Sequence, residues 1–295
     1  MPWSAARRHC SGRHAVASFS TRPGGIPAPR RHLRRKEQAR IMEAPRHHPP
    51  QQAALLRDAL PRLVHGFFGL DDGVGDGVGD GAALSRQAFG PSAGPLLELG
   101  QPHAARIVSA DGAPIAEPAR RAADGALAGG DFRGLIAIRS ADCVPVLAAD
   151  PETGRFAALH AGWRGTAAGI LPELLGQLRA LGSSLHALRL AFGPGIGPCC
   201  FEVREDCIGA FAPPHLHGAV EVRAGSTYLD LHRVLHNQLA AAGLTAAQVE
   251  TLPLCTRCAQ DETGRPLFAS FRRSNQQGES SAPRNYSLIG IPATA

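Results

Sequence analysis

The chain has 295 residues, 44% of them hydrophobic, enough apolar material for a substantial core in one large domain or two small ones. Its apolar stretches fall short of the roughly 18–20 residues that span a bilayer, so no membrane helix or membrane partner is expected. The formal charge of +6 is concentrated in residues 1–40, which hold ten Arg or Lys and a single acid, Glu37. The remainder is net acidic, which argues against nucleic acid as a partner.

Taken in chain order, residues 1–50 read as a disordered basic extension, or as codons upstream of a true start at Met42. Their Arg-rich, Ser-containing, acid-poor composition is also that of an organellar transit peptide. The folded domain is expected over 51–295. Leu63–Phe68 predicts a short buried strand, and the Asp/Gly run Asp71–Gly81 predicts a solvated loop. That run lacks the closing Glu of an EF-hand and the stacked repeats of a calcium-binding β-roll.

Further strands are predicted at Leu135–Ile138, Val144–Ala149, Arg155–Leu159, Leu188–Phe192 and Tyr286–Ile291. They are apolar on both faces, as strands covered by other layers should be. Thr166–Leu181 puts Ile170, Leu171, Leu174, Leu175, Leu178 and Leu181 on one helical stripe, and Tyr228–Ala242 predicts a second amphipathic helix. The fold class is α/β, a mixed-sheet single domain. Seven cysteines, an odd number in a chain that needs no staples, fit a reducing cytoplasmic compartment better than a disulfide framework.

Asp150-Pro151-Glu152-Thr153-Gly154 is a turn signal between two strand runs. With a loop over 150–153, Cys143 falls directly opposite His160 on one face, with Cβ atoms about 4.5–5.5 Å apart. One metal ion could bridge that thiolate and imidazole. The turn Ala161-Gly162-Trp163-Arg164-Gly165 then leads into the helix expected from Thr166. Close backbone approach, free N–H groups of Gly165 and Thr166, and the Arg164 guanidinium make this an expected anion site.

Three strings carry a family likeness: Ser140-Ala141-Asp142-Cys143-Val144-Pro145-Val146-Leu147, His160-Ala161-Gly162-Trp163-Arg164-Gly165, and Gly193-Pro194-Gly195-Ile196-Gly197-Pro198-Cys199-Cys200-Phe201-Glu202-Val203. They resemble the signatures of the YfiH family of purine nucleoside phosphorylases, earlier described as polyphenol oxidases or laccases, from about residue 63 to the C-terminus. The resemblance implies a four-layer α-β-β-α sandwich, shared distantly with necrotizing-factor-type hydrolase toxins. It also implies one zinc ion, with copper as an alternative, on His103, Cys143 and His160. His103 is placed by Gln101-Pro102-His103-Ala104, where relatives typically read Gln-Val-His-Gly. Three protein ligands with an open position is a catalytic pattern.

The likeness also implies catalytic roles for Cys143, His160 and Arg164, and substrate or phosphate contacts for Arg164, Gly165, Thr166 and Arg272. Arg272 comes from Ser270-Phe271-Arg272-Arg273-Ser274, which matches the family's Ser-Tyr-Arg-Arg-Asp, and Arg273 and Arg284 could join it around phosphate. The chain departs from the family at Gly69-Leu70 and the Asp/Gly run, where relatives carry Thr-Arg-x-Gly-Gly. Cys255-Thr256-Arg257-Cys258 has zinc-knuckle spacing, but no second such pair accompanies it in the sequence, and a structural zinc takes four ligands. Cys199 and Cys200 are expected to pack in the interior or line a pocket.

The function expected from this resemblance is zinc-dependent phosphorolysis of purine nucleosides (adenosine, inosine, guanosine, methylthioadenosine), with adenosine deamination as a companion activity. Its partners would be nucleoside and phosphate. The alternatives are a Cys-His hydrolase of cell-wall precursors, with Cys143 as nucleophile and His160 as base, a copper-dependent polyphenol oxidase, and a binding protein without catalysis. One His-Cys-His set supplies too few ligands for a multicopper cluster.

Deleting residues 1–41 is expected to leave the thermal midpoint nearly unchanged, because that segment offers few apolar side chains for docking. Scanning calorimetry of the full and shortened chains checks this, and a midpoint lowered by several degrees on deletion would refute it.

Overall fold

Alternation along the central strands decides the architecture, because each strand sends successive side chains to opposite layers. The computed structural model describes residues 50–70, 81–111 and 122–293, all within the unit His47–Ala295. The expectations for residues 1–49 and for positions 71–80 of the Asp/Gly run lie outside these. The strands are β1 (Val64–Phe68), β2 (Leu96–Glu98), β3 (Ile107–Ser109), β4 (Gly125–Ala128), β5 (Gly134–Ser140), β6 (Val144–Ala149), β7 (Phe156–Ala161), β8 (Arg189–Phe192), β9 (Glu202–Val203), β10 (Val220–Arg223), β11 (Ser226–Leu229), β12 (Val249–Thr251) and β13 (Asn285–Ile291). The α-helices are α1 (Ala54–Arg57), α2 (Gly81–Phe89), α3 (Trp163–Ala167), α4 (Ile170–Ala180), α5 (Glu205–Ile208), α6 (Leu231–Ala241) and α7 (Phe271–Gln276).

Two mixed sheets dominate. One has the order β1-β13-β5-β2 and the other β12-β8-β6-β7-β4-β3, while β10, β11 and β9 form a small separate sheet. Along β6, Val144, Val146 and Ala148 join the core shared with Ile170, Leu171, Leu174, Leu175 and Leu178 of α4 and Leu231, Val234, Leu235 and Leu239 of α6. The intervening Leu147 and Ala149 face the other way and meet Ile136, Ile138, Phe67 and Ile289 of the four-stranded sheet. The outer face of that sheet, through Phe68, Ala137 and Leu288, packs on Leu84 of α2. Helix, sheet, sheet, helix is the four-layer order expected. No described helix is long and apolar enough to cross a membrane.

Two helix expectations need correction. The stripe over 166–181 is two helices, because Gly169 takes φ 87° and breaks the ladder between α3 and α4. The second expected helix begins only at Leu231, where the Asp230 side chain accepts from the Arg233 N–H, and the preceding Tyr228 lies in β11.

The inter-sheet core depends on large side chains that cannot be replaced from either side. Phe156 is 1% exposed and packs against Phe132, with ring centroids 6.1 Å apart. Phe156→Ala should destabilise the chain by about 3–5 kcal/mol in denaturant unfolding. Leu181→Ala, at a position 51% exposed, should stay within about 0.5 kcal/mol of wild type. Equal losses for the two would place the core elsewhere.

Candidate metal centre and active site

Three segments deliver the candidate donors to one end of the inter-sheet face. His160 is the penultimate residue of β7, Cys143 immediately precedes β6, and His103 stands in the loop between β2 and β3. Their donor atoms lie within 4.8 Å of one another. The two imidazole rings meet edge to face, with centroids 4.8 Å apart. His160 is buried, Cys143 is half-buried and His103 is exposed.

The hairpin that joins two of them forms as expected, with a corrected register. The Asp150 N–H donates to the Arg155 carbonyl at 2.8 Å, so the loop is 151–154, one residue later than the sequence predicts. The Asp150 carboxylate draws the turn inward by accepting from the Glu152 and Thr153 N–H groups. His160 therefore pairs with Pro145, and Val144 with Ala161, which leaves Cys143 level with Gly162. Because the pairing moves by two residues rather than one, both side chains stay on the same face. They meet as a diagonal pair.

Gly162 matters for the space between the donors. A Cβ there would stand 2.9 Å from Cys143 Sγ and 3.0 Å from His103 Cδ2. The glycine keeps open a cradle bounded by one thiol and two imidazoles, the donor types that zinc takes at about 2.0–2.3 Å. The residues fit a metal ion.

Asp124, which the sequence reading missed, organises this cradle. It is fully buried immediately before β4, and its Oδ1 accepts from His160 Nδ1 at 2.8 Å and from the His103 N–H at 2.9 Å. Oδ2 accepts from the Ala104 N–H at 2.6 Å. A carboxylate on Nδ1 fixes the tautomer that turns Nε2 toward Cys143. Gln101 secures the other end of the histidine loop, as its Oε1 accepts from the Arg139 N–H at 2.9 Å. Gln101 and His103 take φ 55° and 65°, and Asp142 takes 87°. These are left-handed conformations in non-glycine residues, of the sort that cluster at functional sites.

Asp142 anchors the Cys143 corner. Its Oδ1 accepts from Thr256 Oγ1, its Oδ2 from the Arg272 N–H, both at 2.7 Å, and its carbonyl from the Ile196 N–H at 2.8 Å.

Burial pushes the Cys143 thiol up, but hydrogen bonds with His103 and His160 and their positive charge outweigh it, and the thiol comes down to about 7. Burial pushes His160 down, and its hydrogen bonds with Asp124 and Cys143 reverse this, raising it to about 9. Between those pH values the metal-free pair is a thiolate facing an imidazolium.

The expected anion groups are placed less evenly. The Arg164 guanidinium is exposed, lies 4.3 Å over the Trp163 ring and makes no ion pair among the described residues. The helix starts at Trp163, so the Thr166 N–H is spent on the Gly162 carbonyl at 2.8 Å and Thr166 is wholly buried. Gly165 is buried too: a Cβ there would stand 2.6 Å from the Ala104 carbonyl, so the glycine lets this helix pack on the His103 loop. Arg272 sends Nη2 to the Glu202 carbonyl at 2.9 Å. The guanidinium of Arg273 is committed to the carbonyls of Thr256, Arg257 and Phe268, and Arg284 bonds Ala282, so the three arginines do not form one phosphate cluster. A cavity of about 690 Å³ lined by His232, His236 and Leu254 contains none of the three donors.

Comparison with known proteins matches residues 74–291 to the family described as multi-copper polyphenol oxidoreductase laccase. Among curated relatives, a purine nucleoside phosphorylase of Deinococcus radiodurans is 37% identical over 158 residues, covering 54% of this chain and 57% of its own. Adenosine deaminase RL5 of an unknown prokaryote is 34% identical over 128 residues, covering 42% and 49%. The match thus spans about half the length of these relatives. The solved structure of YlmD from Geobacillus stearothermophilus superposes with a TM-score of 0.65 at 24% identity, over 83% of this chain and 99% of that one, and shares the fold.

In chelator-treated protein, alkylation of Cys143 followed by peptide mass spectrometry should rise with pH to a plateau with a midpoint of about 7. His160→Gln should move that midpoint upward. A wild-type midpoint at the ordinary thiol value would refute the pairing. A second variant, Asp124→Asn, should weaken zinc binding about 10–100-fold, as loss of a carboxylate behind a ligating histidine does. Unchanged affinity in a competition titration would count against the role given to Asp124.

Proposed function

The chain belongs to the multi-copper polyphenol oxidoreductase laccase family, and from that premise we propose that it is a zinc-dependent purine nucleoside phosphorylase with a companion adenosine deaminase activity. The observation that carries this reading is the convergence of His103, Cys143 and His160 around the Gly162 cradle, with Asp124 behind both histidine segments. Relatives named purine nucleoside phosphorylase and adenosine deaminase supply the substrate class. A metal held by the three donors would supply Lewis acidity toward a nucleoside oxygen or ring nitrogen. Asp124 holds the His160 ring in one tautomer, and Asp142 holds the Cys143 corner against the 255–258 turn. Arg164, the exposed guanidinium of the helix that follows Gly162, is assigned to phosphate. The buried Gly165 and Thr166 shape that segment by packing.

A second reading has its own support. A thiolate facing an imidazolium is the activated pair of a Cys-His hydrolase, with Cys143 as nucleophile and His160 as base. Copper oxidase chemistry finds less: among the described residues, donors group only as this His-Cys-His set and as an all-cysteine cluster.

Incubating the protein with adenosine or inosine, with and without phosphate, should release free base and ribose phosphate only when phosphate is present. Arg164→Ala should raise the phosphate KM or depress kcat while zinc content stays near wild type. Cys143→Ala and His160→Ala should each abolish tight zinc binding, since two ligands rarely hold zinc. Base release that is equal without phosphate would replace phosphorolysis with hydrolysis. Inosine as the sole product from adenosine would leave deamination alone.

A further inference from the structure

The zinc-knuckle pair Cys255 and Cys258 has no partner pair nearby in sequence, yet the fold brings one from far upstream. The sulfurs of Cys199, Cys200, Cys255 and Cys258 all lie within 4.8 Å of one another, and Cys199 Sγ is 3.6 Å from Cys258 Sγ. Four sulfurs bound tetrahedrally at about 2.3 Å from a zinc ion stand about 3.8 Å apart. The cluster is therefore close to the dimensions of a filled site, needing contractions of an ångström or less.

The surroundings suit thiolates. The Gly197 N–H donates to Cys255 Sγ at 3.2 Å, and Arg257 Nη1 approaches Cys200 Sγ at 3.6 Å. A backbone N–H and a guanidinium directed at sulfur stabilise negative charge there. Gly197 also lies against the cluster, since a Cβ would stand 3.4 Å from Cys199 Sγ and 3.3 Å from Cys255 Cβ. Each pair sits on a backbone turn: the Cys200 N–H bonds the Gly197 carbonyl, and the Ala259 N–H bonds the Cys255 carbonyl, both at 2.9 Å. Four thiolates packed this closely repel one another unless a cation lies between them.

We propose that Cys199, Cys200, Cys255 and Cys258 bind a second zinc ion, as a closed tetrathiolate site distinct from the His-Cys-His centre. All four positions of the metal are filled by protein, so this ion is structural. It ties the 193–203 segment to the 255–258 turn, the two segments whose Ile196 and Thr256 fasten Asp142 and hence the Cys143 corner. Metal binding at such a site adds directly to folding free energy.

The experiment uses the full chain carrying Cys143→Ser, which removes the only thiolate of the His-Cys-His set. Failure at that centre then cannot affect the result. Reduced, stripped and reloaded, this protein should retain about one zinc per chain by elemental analysis. Loaded with cobalt(II) instead, it should show the strong thiolate-to-metal charge transfer and red ligand-field bands of tetrahedral sulfur coordination. Zinc should shield four of its six remaining thiols from a disulfide reagent and raise its thermal midpoint. Adding Cys199→Ser and Cys258→Ser should abolish all four signals. Absence of zinc uptake by the folded Cys143→Ser protein, cobalt bound without charge transfer, or full retention of metal after the added substitutions would each overturn the proposal. If the triple variant does not fold, the cobalt spectrum and thiol count of Cys143→Ser decide alone.

Discussion

The Asp124 carboxylate is the constraint on which the candidate centre depends. A charge buried completely inside a β-sandwich is costly unless every lone pair finds a donor. Here the donors are the His160 ring and the backbone of His103 and Ala104. Satisfying the carboxylate therefore fixes the orientation of one imidazole and the path of the chain that carries the other. The left-handed conformations of Gln101 and His103 are tolerable because both ends of that loop are bonded, one to Arg139 and the other to Asp124.

Asp142 plays the corresponding part for the thiol. Through one carboxylate and one carbonyl it gathers Thr256, Arg272 and Ile196, which come from three separate segments, around the residue before Cys143. The rigid sheets supply the long-range placement, and the two aspartates supply the final positioning from opposite sides. The His-Cys-His donors and the all-cysteine cluster both meet this framework beside the residue before Cys143.

The strands β1, β5, β6, β7, β8 and β13 were legible because they are apolar runs covered by other layers, whereas the short β2, β3, β4 and β9 to β12 gave no such run. Helix ends were less so: the buried stripe from Ile170 to Leu178 belongs wholly to α4, and the left-handed Gly169 that separates it from α3 shows only in the backbone geometry. Cys143 and His160 could be paired from the hairpin because the side-chain period of two forgives an error of two residues in register. Asp124 left no local signal, lying 36 residues from the histidine it orients. The partners of Cys255 and Cys258 were hidden for the same reason, since the adjacent pair Cys199-Cys200 does not have a knuckle's spacing and lies more than fifty residues upstream. The anion site was misjudged at Thr166, because the helix begins one turn earlier and uses that N–H internally.

The loop at 151–154 has an evolutionary consequence. Because Cys143 and His160 share a face only through the parity of the β6–β7 pairing, even and odd changes in the length of that loop are not equivalent. Adding or removing two residues slides the hairpin and preserves the face. A single-residue change that propagates into the register instead turns the imidazole into the helix-side core among Leu159 and Ala161's neighbours. Descendants of this sequence should therefore vary the loop in even steps, or accompany an odd step with a bulge between the loop and His160.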